Sequence, residues 1–148
     1  MLLKRRWIFR AMKKPIVKDY FFLQQKSTDV TKDDLFIVHD LLDTIQAYQD
    51  QCVGMAANMI GYLKRMIVVF DGKDYLILIN PQMIKYTGQQ YITEEGCLSH
   101  QGTKQTKRYP KIKVSYLDEK MKKKIKTFEG LTAQIIQHEM DHLEGILI

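Results

Sequence analysis

The segment Gln137-His138-Glu139-Met140-Asp141-His142 contains H-E-x-x-H. On an α-helix, residues four apart lie one turn above each other on one face. His138 and His142 can therefore aim their imidazoles at one metal ion. Glu139 then lies at the side of that face, within reach of a water on the ion. Leu131 and Ile135 extend the stripe upstream (131, 135, 138, 142), so apolar burial grades into ligands. A helix is predicted from about Leu131 to Leu143, stopping at Gly145. Two ordinary histidines on a polar helix would satisfy the same short pattern. A third ligand decides between the readings. Six residues follow His142, and Glu144 is too close along the helix, so that ligand is expected upstream.

Glu94-Glu95-Gly96-Cys97-Leu98-Ser99 offers it. Cys97, bound as thiolate, makes a Cys-His-His set whose fourth position stays open for water. Three protein ligands plus water is the catalytic arrangement, whereas structural zinc sites are closed by four. Coordination would also deprotonate the thiol. Taken alone, Cys97 reads as a buried free cysteine. His100 competes as a ligand through its C-x-x-H spacing, but it is expected at the surface, as is His39.

The 148 residues, 45% hydrophobic and 27% charged, describe one ordinary globular domain rather than a disordered chain. No apolar run approaches the roughly 20 residues that span a bilayer. The N-terminus is basic and lacks the apolar centre of a secretory signal. Six of the 23 basic residues lie in residues 1–14, and the 17 that remain match the 17 acids. The net charge of +6 therefore belongs to the leader. Residues 1–14 are read as a basic disordered leader or upstream-start extension, with Met12 as the true start, and residues 15–148 as a single catalytic domain. Two cysteines make no disulfide framework, and a reducing cytoplasm is expected.

Residues 31 to 49 predict an amphipathic helix capped by Thr31, with Leu35, Val38, Leu42 and Ile45 at helical spacing. Strands are predicted over Arg65 to Phe70, Tyr75 to Asn80 (closed by Pro81), Gln82 to Tyr86, Ile112 to Leu117 and Lys123 to Phe128. Helix, several strands and a terminal helix without βαβ alternation argue for an α+β fold with antiparallel strands.

EGCLS followed by QHEMDHLEG resembles the second and third motifs of the peptide deformylases. Cys52 to Met59, CVGMAANM, resembles the first, G-[apolar]-G-[apolar]-A-A-x-Q. The three occur in family order, and the similarity covers most of residues 15–148. It implies antiparallel β-sheets packed around a C-terminal metal-binding helix, and removal of the N-formyl group from the initiator methionine of nascent polypeptides. It implies ferrous iron, with zinc, nickel or cobalt as substitutes, held by Cys97, His138 and His142. Glu139 becomes the general base, and the N–H of Leu98 stabilises the oxyanion. Val53, Gly54, Glu95 and Met59 match substrate-cleft positions, Gly54 letting the peptide backbone approach. Asp141 would anchor the helix or support a ligand. The implied partners are an N-formylmethionyl peptide and, as a candidate, the ribosome. The family default is a cytoplasmic monomer, without membrane or specific nucleic-acid binding.

The chain departs from the pattern in places. Met59 stands where the family has glutamine, a donor to the oxyanion, and a thioether has no hydrogen to give. Losing such a donor typically costs about 10²–10³ in rate. Asn58 could replace it only if the loop were rotated. Cys52 replaces the first glycine of the motif, and is read as a small packed side chain or a redox partner of Cys97. Lys104 stands where arginine is common. Arg108 sits one residue closer to Cys97 than the family arginine, and an Arg108–Glu95 pair is expected. Alternatives are a catalytically silenced relative that binds formylated or other peptides, and a nucleic-acid-binding module using the leader and Lys120 to Lys126. A general endopeptidase is disfavoured by the thiolate ligand and the EGCLS loop. Residual activity is favoured, because the groups doing the chemistry survive.

Overall fold

The computed structural model describes residues 13–148. Residues 1–12, most of the expected leader, lie outside the described residues. Lys14 donates its main-chain N–H to Thr44 Oγ1 (3.0 Å), and the Lys13 ammonium lies 5.3 Å from the centre of the Tyr48 ring.

The described residues contain three α-helices: α1 (Tyr20–Leu23), α2 (Phe36–Ala47) and α3 (Gly130–Leu143). Seven strands accompany them: β1 (Gly54–Ala56), β2 (Met66–Phe70), β3 (Tyr75–Thr87), β4 (Tyr91–Gly96), β5 (Thr103–Arg108), β6 (Lys111–Leu117) and β7 (Lys123–Glu129). The strands form a five-stranded sheet in the order β1-β2-β3-β6-β7 and a separate β4–β5 pair. Every strand pairing within these two sheets is antiparallel, as the α+β reading requires. No helix among the described residues is long and apolar enough to cross a membrane.

The core lies where α2 and α3 pack on β1 and β2. Helix α2 buries Ile37, Val38, Leu41, Thr44 and Ile45 at helical spacing. It does not run unbroken from Thr31. Asp34 turns back to accept the Thr31 main-chain N–H (2.9 Å), which tightens Lys32–Asp34 into a 3-10 turn. The α-helix proper starts only at Phe36.

Strand β3 does not close at Pro81. Between Ile79 and Gln82 its register against β6 shifts, and Asn80 takes a left-handed φ of 49°. The bulge takes Pro81 out of the ladder, where its missing N–H would have broken a pairing. The Asn80 amide is engaged on both sides, accepting from Val30 N–H (2.8 Å) and donating to Val30 O (3.1 Å).

Strands β1, β4 and β5 are absent from the sequence-based expectation. Strand β1 has three residues, while YITEEG and TKQTKR lack apolar alternation. Helix α3 matches its expected span and stops at Gly145, where φ reaches 76° and the N–H donates to His142 O (3.1 Å). Leu131 corrects the expected stripe. It is 65% exposed, and burial on α3 begins at Ala133.

Candidate metal centre

Helix α3 and the turn after β4 bring Cys97, His138 and His142 together, with one ligand atom of each within 4.8 Å of the others. His138 Nε2 and His142 Nε2 are 3.2 Å apart, and Cys97 Sγ lies 3.4 Å from His142 Nε2. A tetrahedral ion with metal–nitrogen bonds near 2.1 Å and a metal–sulfur bond near 2.3 Å holds such donors about 3.3–3.6 Å apart. The donor set therefore fits a divalent metal in both chemistry and spacing. His100 takes no part. It is half-buried rather than free at the surface, its Nε2 meeting the main-chain oxygen of Ile148 and its Nδ1 facing Gln101 O at 3.3 Å. His39 is exposed on α2.

The imidazole of His138 is held from behind. Its Nδ1 lies 2.8 Å from Glu95 Oε1, which leaves Nε2 to face the other donors. Glu95 also accepts from Arg108 NH2 (2.7 Å to Oε1) and Arg108 Nε (3.0 Å to Oε2), so the expected Arg108–Glu95 pair is present. Arg108 NH1 reaches Asp141 Oδ2 at 2.7 Å and ties α3 to β5. Burial opposes ionisation of Glu95, but the bonds from His138 and Arg108 outweigh it and hold its pKa at about 2. Burial and the neighbouring His138 lower the pKa of His142 to about 3, while at His138 burial is outweighed by Cys97, Glu139 and Glu95, which raise its pKa to about 10.

Glu139 is buried beside these ligands, and burial pushes its pKa up to about 7. Its Oε1 has no hydrogen-bond partner among the described residues. A buried carboxyl poised near neutrality suits proton transfer. Gly54 of β1 lies against it. A Cβ there would sit 2.5 Å from Ile135 Cγ2 and 2.8 Å from Glu139 Oε2. The glycine is thus required by the close crossing of β1 over α3, a different reason from the expected approach of a peptide backbone.

These groups line a cleft of about 530 Å³ walled by Val53, Gly54, Met59, Glu95, Leu98 and Leu131, among others. The cleft substituents have unequal polarity. Met59 is buried, and its Sδ lies 3.5 Å from the Ala56 N–H within the 3-10 turn Ala57–Ile60. Cys52, in the same wall, donates its thiol to Gly54 O (2.8 Å), and burial pushes its pKa to about 12. Cys52 and Cys97 are both free. Lys104 donates to Leu147 O (3.1 Å).

Gln134 and Gln137 were not among the expected site residues. Gln137 clasps Tyr109 at both ends, donating to its O (2.8 Å) and accepting from its N–H (2.9 Å). Gln134 donates to Glu95 Oε2 (2.9 Å). Its position, one helical turn before His138, was the available signal.

Comparison with known proteins agrees with this geometry. A family model described as polypeptide deformylase matches residues 13–148. A peptide deformylase of Clostridium beijerinckii is 53% identical over 137 residues, covering 93% of this chain and all of its own (100%). The crystal structure of peptide deformylase from Thermotoga maritima superposes with a TM-score of 0.83 at 29% identity, covering 91% of this chain and 94% of that one. A Met-Ala-Ser-bound class I type b peptide deformylase from Acinetobacter baumannii has a TM-score of 0.83 at 27% identity, covering 91% of this chain and 96% of that one. With the match spanning nearly the whole chain, and with Cys97, His138 and Glu139 lining one cleft beside His142, the chain belongs to the polypeptide deformylase family.

Proposed function

We propose that this chain is a metal-dependent hydrolase that removes the N-formyl group from the initiator methionine of nascent polypeptides. The observation that carries the reading is the convergence of Cys97, His138 and His142 at the wall of a cleft that Cys97, His138 and Glu139 line, in a chain of this family. A divalent metal bound there supplies Lewis acidity, lowering the pKa of a water and polarising the formyl carbonyl. Iron(II) is the metal we assign, and the mixed sulfur and nitrogen donors also suit zinc, nickel and cobalt.

Glu139 takes a proton from the water attacking the formyl carbon and returns it to the leaving amine. Its pKa near 7 allows both transfers. The main-chain N–H of Leu98, at the cleft wall beside Cys97, donates to the oxyanion. Val53, Gly54, Met59 and Glu95 line the space where the formylmethionyl end lies. Glu95 acts there mainly through His138, which it holds by a hydrogen bond. The catalytic unit is residues 15–148, working as a cytoplasmic monomer on chains emerging from the ribosome.

One observation favours a second reading. The thioether of Met59 lines the cleft and can donate no hydrogen bond, which would suit a silenced relative that binds formylated peptides. Formate release from a formyl-Met tripeptide by anaerobically iron-loaded protein separates the two. Turnover by the native chain that disappears in Glu139→Ala supports the hydrolase. Turnover seen only in Met59→Gln would replace it with the silenced reading.

A further inference from the structure

We propose that Gln134 is a positioning residue for His138, acting through Glu95 and itself held by Tyr91. The inference rests on reading Cys97, His138 and His142 as a metal centre. Two local geometries bring the four residues together. Tyr91 and Glu95 share the inward face of β4, where alternation leaves Ile92 and Glu94 exposed. Gln134 and His138 share one face of α3, a single turn apart. Where the strand meets the helix, Tyr91 Oη donates to Gln134 Oε1 (3.3 Å), and Gln134 Nε2 donates to Glu95 Oε2 (2.9 Å). Glu95 Oε1 then faces His138 Nδ1 at 2.8 Å.

The division of labour between the two carboxylate oxygens gives Gln134 its role. Oε1 takes Arg108 NH2 and His138. Oε2 takes Gln134 and Arg108 Nε, and Nε is shared, since it also lies 3.2 Å from Oε1. Arg108 thus anchors Glu95 through both oxygens, and a further donor on Oε2 adds to the restraint on rotation of the carboxylate. Gln134 bonds Oε2 alone and fixes that rotation, so Oε1 stays aimed at His138. The chain of bonds has a polarity that needs each member. Gln134 can donate to Glu95 while accepting from Tyr91, and no apolar side chain of similar shape can donate to Glu95. Tyr91 also pairs across the strand ladder with Arg108, so both supports of Glu95 spring from one rung of the β4–β5 pair.

The test is metal retention in Co(II)-loaded protein, read from its thiolate-to-cobalt absorption and from the rate of cobalt loss to a chelator. Gln134→Met keeps the shape and removes the bonds, and is expected to lose cobalt roughly tenfold faster, the lower end of what losing a supporting partner of a ligand costs. Tyr91→Phe should speed loss about two- to threefold, a smaller effect because it acts at one remove. The double variant should match Gln134→Met alone, because Tyr91 acts only through Gln134. Leu131→Ala, which changes the same cleft wall outside the network, should release cobalt at the native rate. Native-like retention in Gln134→Met, or additive effects in the double variant, would overturn the proposal. Should Gln134→Met fail to fold, native-like retention in Tyr91→Phe overturns it equally. Absence of the thiolate band in the native chain would instead sink the metal-centre reading itself.

Discussion

The side-chain amide of Asn58 donates to the main-chain carbonyl of His142 at 3.0 Å, joining the turn after β1 to the end of the ligand-bearing helix. Asn58 is fully buried, so it is committed to this bond and does not stand in for the donor that Met59 lacks. Asn58→Ala is expected to destabilise the protein by about 1–3 kcal/mol, as for a buried hydrogen bond lost with one partner left behind. Urea unfolding followed by circular dichroism measures it. An unchanged midpoint would show that the turn and helix are held by packing alone.

Met59→Gln adds an amide donor at the cleft. It is expected to raise kcat for a formyl-Met tripeptide by up to about 10²-fold, with a smaller change in KM, because an oxyanion contact strengthens mainly in the transition state. Steady-state formate release gives both constants. A fall in KM with constant kcat would place the new amide on the bound substrate instead.

Gly54→Ala should displace Glu139, since the added methyl would sit 2.8 Å from Oε2 and 2.5 Å from Ile135 Cγ2. Misplacing a proton-transfer group by about 1 Å can cost 10²-fold in kcat. Metal content by atomic absorption should stay native, because the ligands lie elsewhere on α3. Loss of metal together with activity would mean that the helix itself had moved.

Arg108→Ala leaves Glu95 and Asp141 without their cation while Glu95 stays buried. Breaking one side of such a buried pair typically costs about 3–5 kcal/mol. The expected result is a large drop in the melting temperature and in retained metal. A native-like fold with native metal content would show that His138 and Gln134 suffice to hold Glu95.

Glu95 also sets an acid limit. Its folded pKa of about 2 lies below the ordinary value of 4.5, so the folded state favours the carboxylate. That stability is complete above pH 4.5 and is lost as pH falls toward 2. Glu95→Gln should flatten the dependence in this window, read as denaturation midpoints at stepped pH. An equally steep fall in the variant would assign the acid sensitivity to other groups.

The elements visible from the sequence were those whose side chains repeat against one core. Helix α2, strand β6 and helix α3 bury one face and so carry a period, strand β2 is a short apolar run buried on both faces, and β7 buries only Phe128. Strands β4 and β5 pair only with each other and bury little apart from Glu95 and Arg108, so no apolar alternation marked them. The bulge at Asn80 was equally hidden. It depends on Val30, 50 residues away, bonding the Asn80 amide.

By itself the sequence determined which residues could serve as ligands and base, because helical spacing alone aligns His138 with His142 and the EGCLS segment is distinctive. Only the tertiary structure decided how they are held. Glu95 meets His138 across 43 residues, Arg108 joins Glu95 to Asp141, and Gln134 completes the carboxylate's partners. It also added a second demand on Gly54, room for Glu139 and Ile135. The reason is physical: spacing along one element follows from local backbone geometry. The burial of a carboxylate, its partners and its pKa arise only where separate elements close on one another and exclude water.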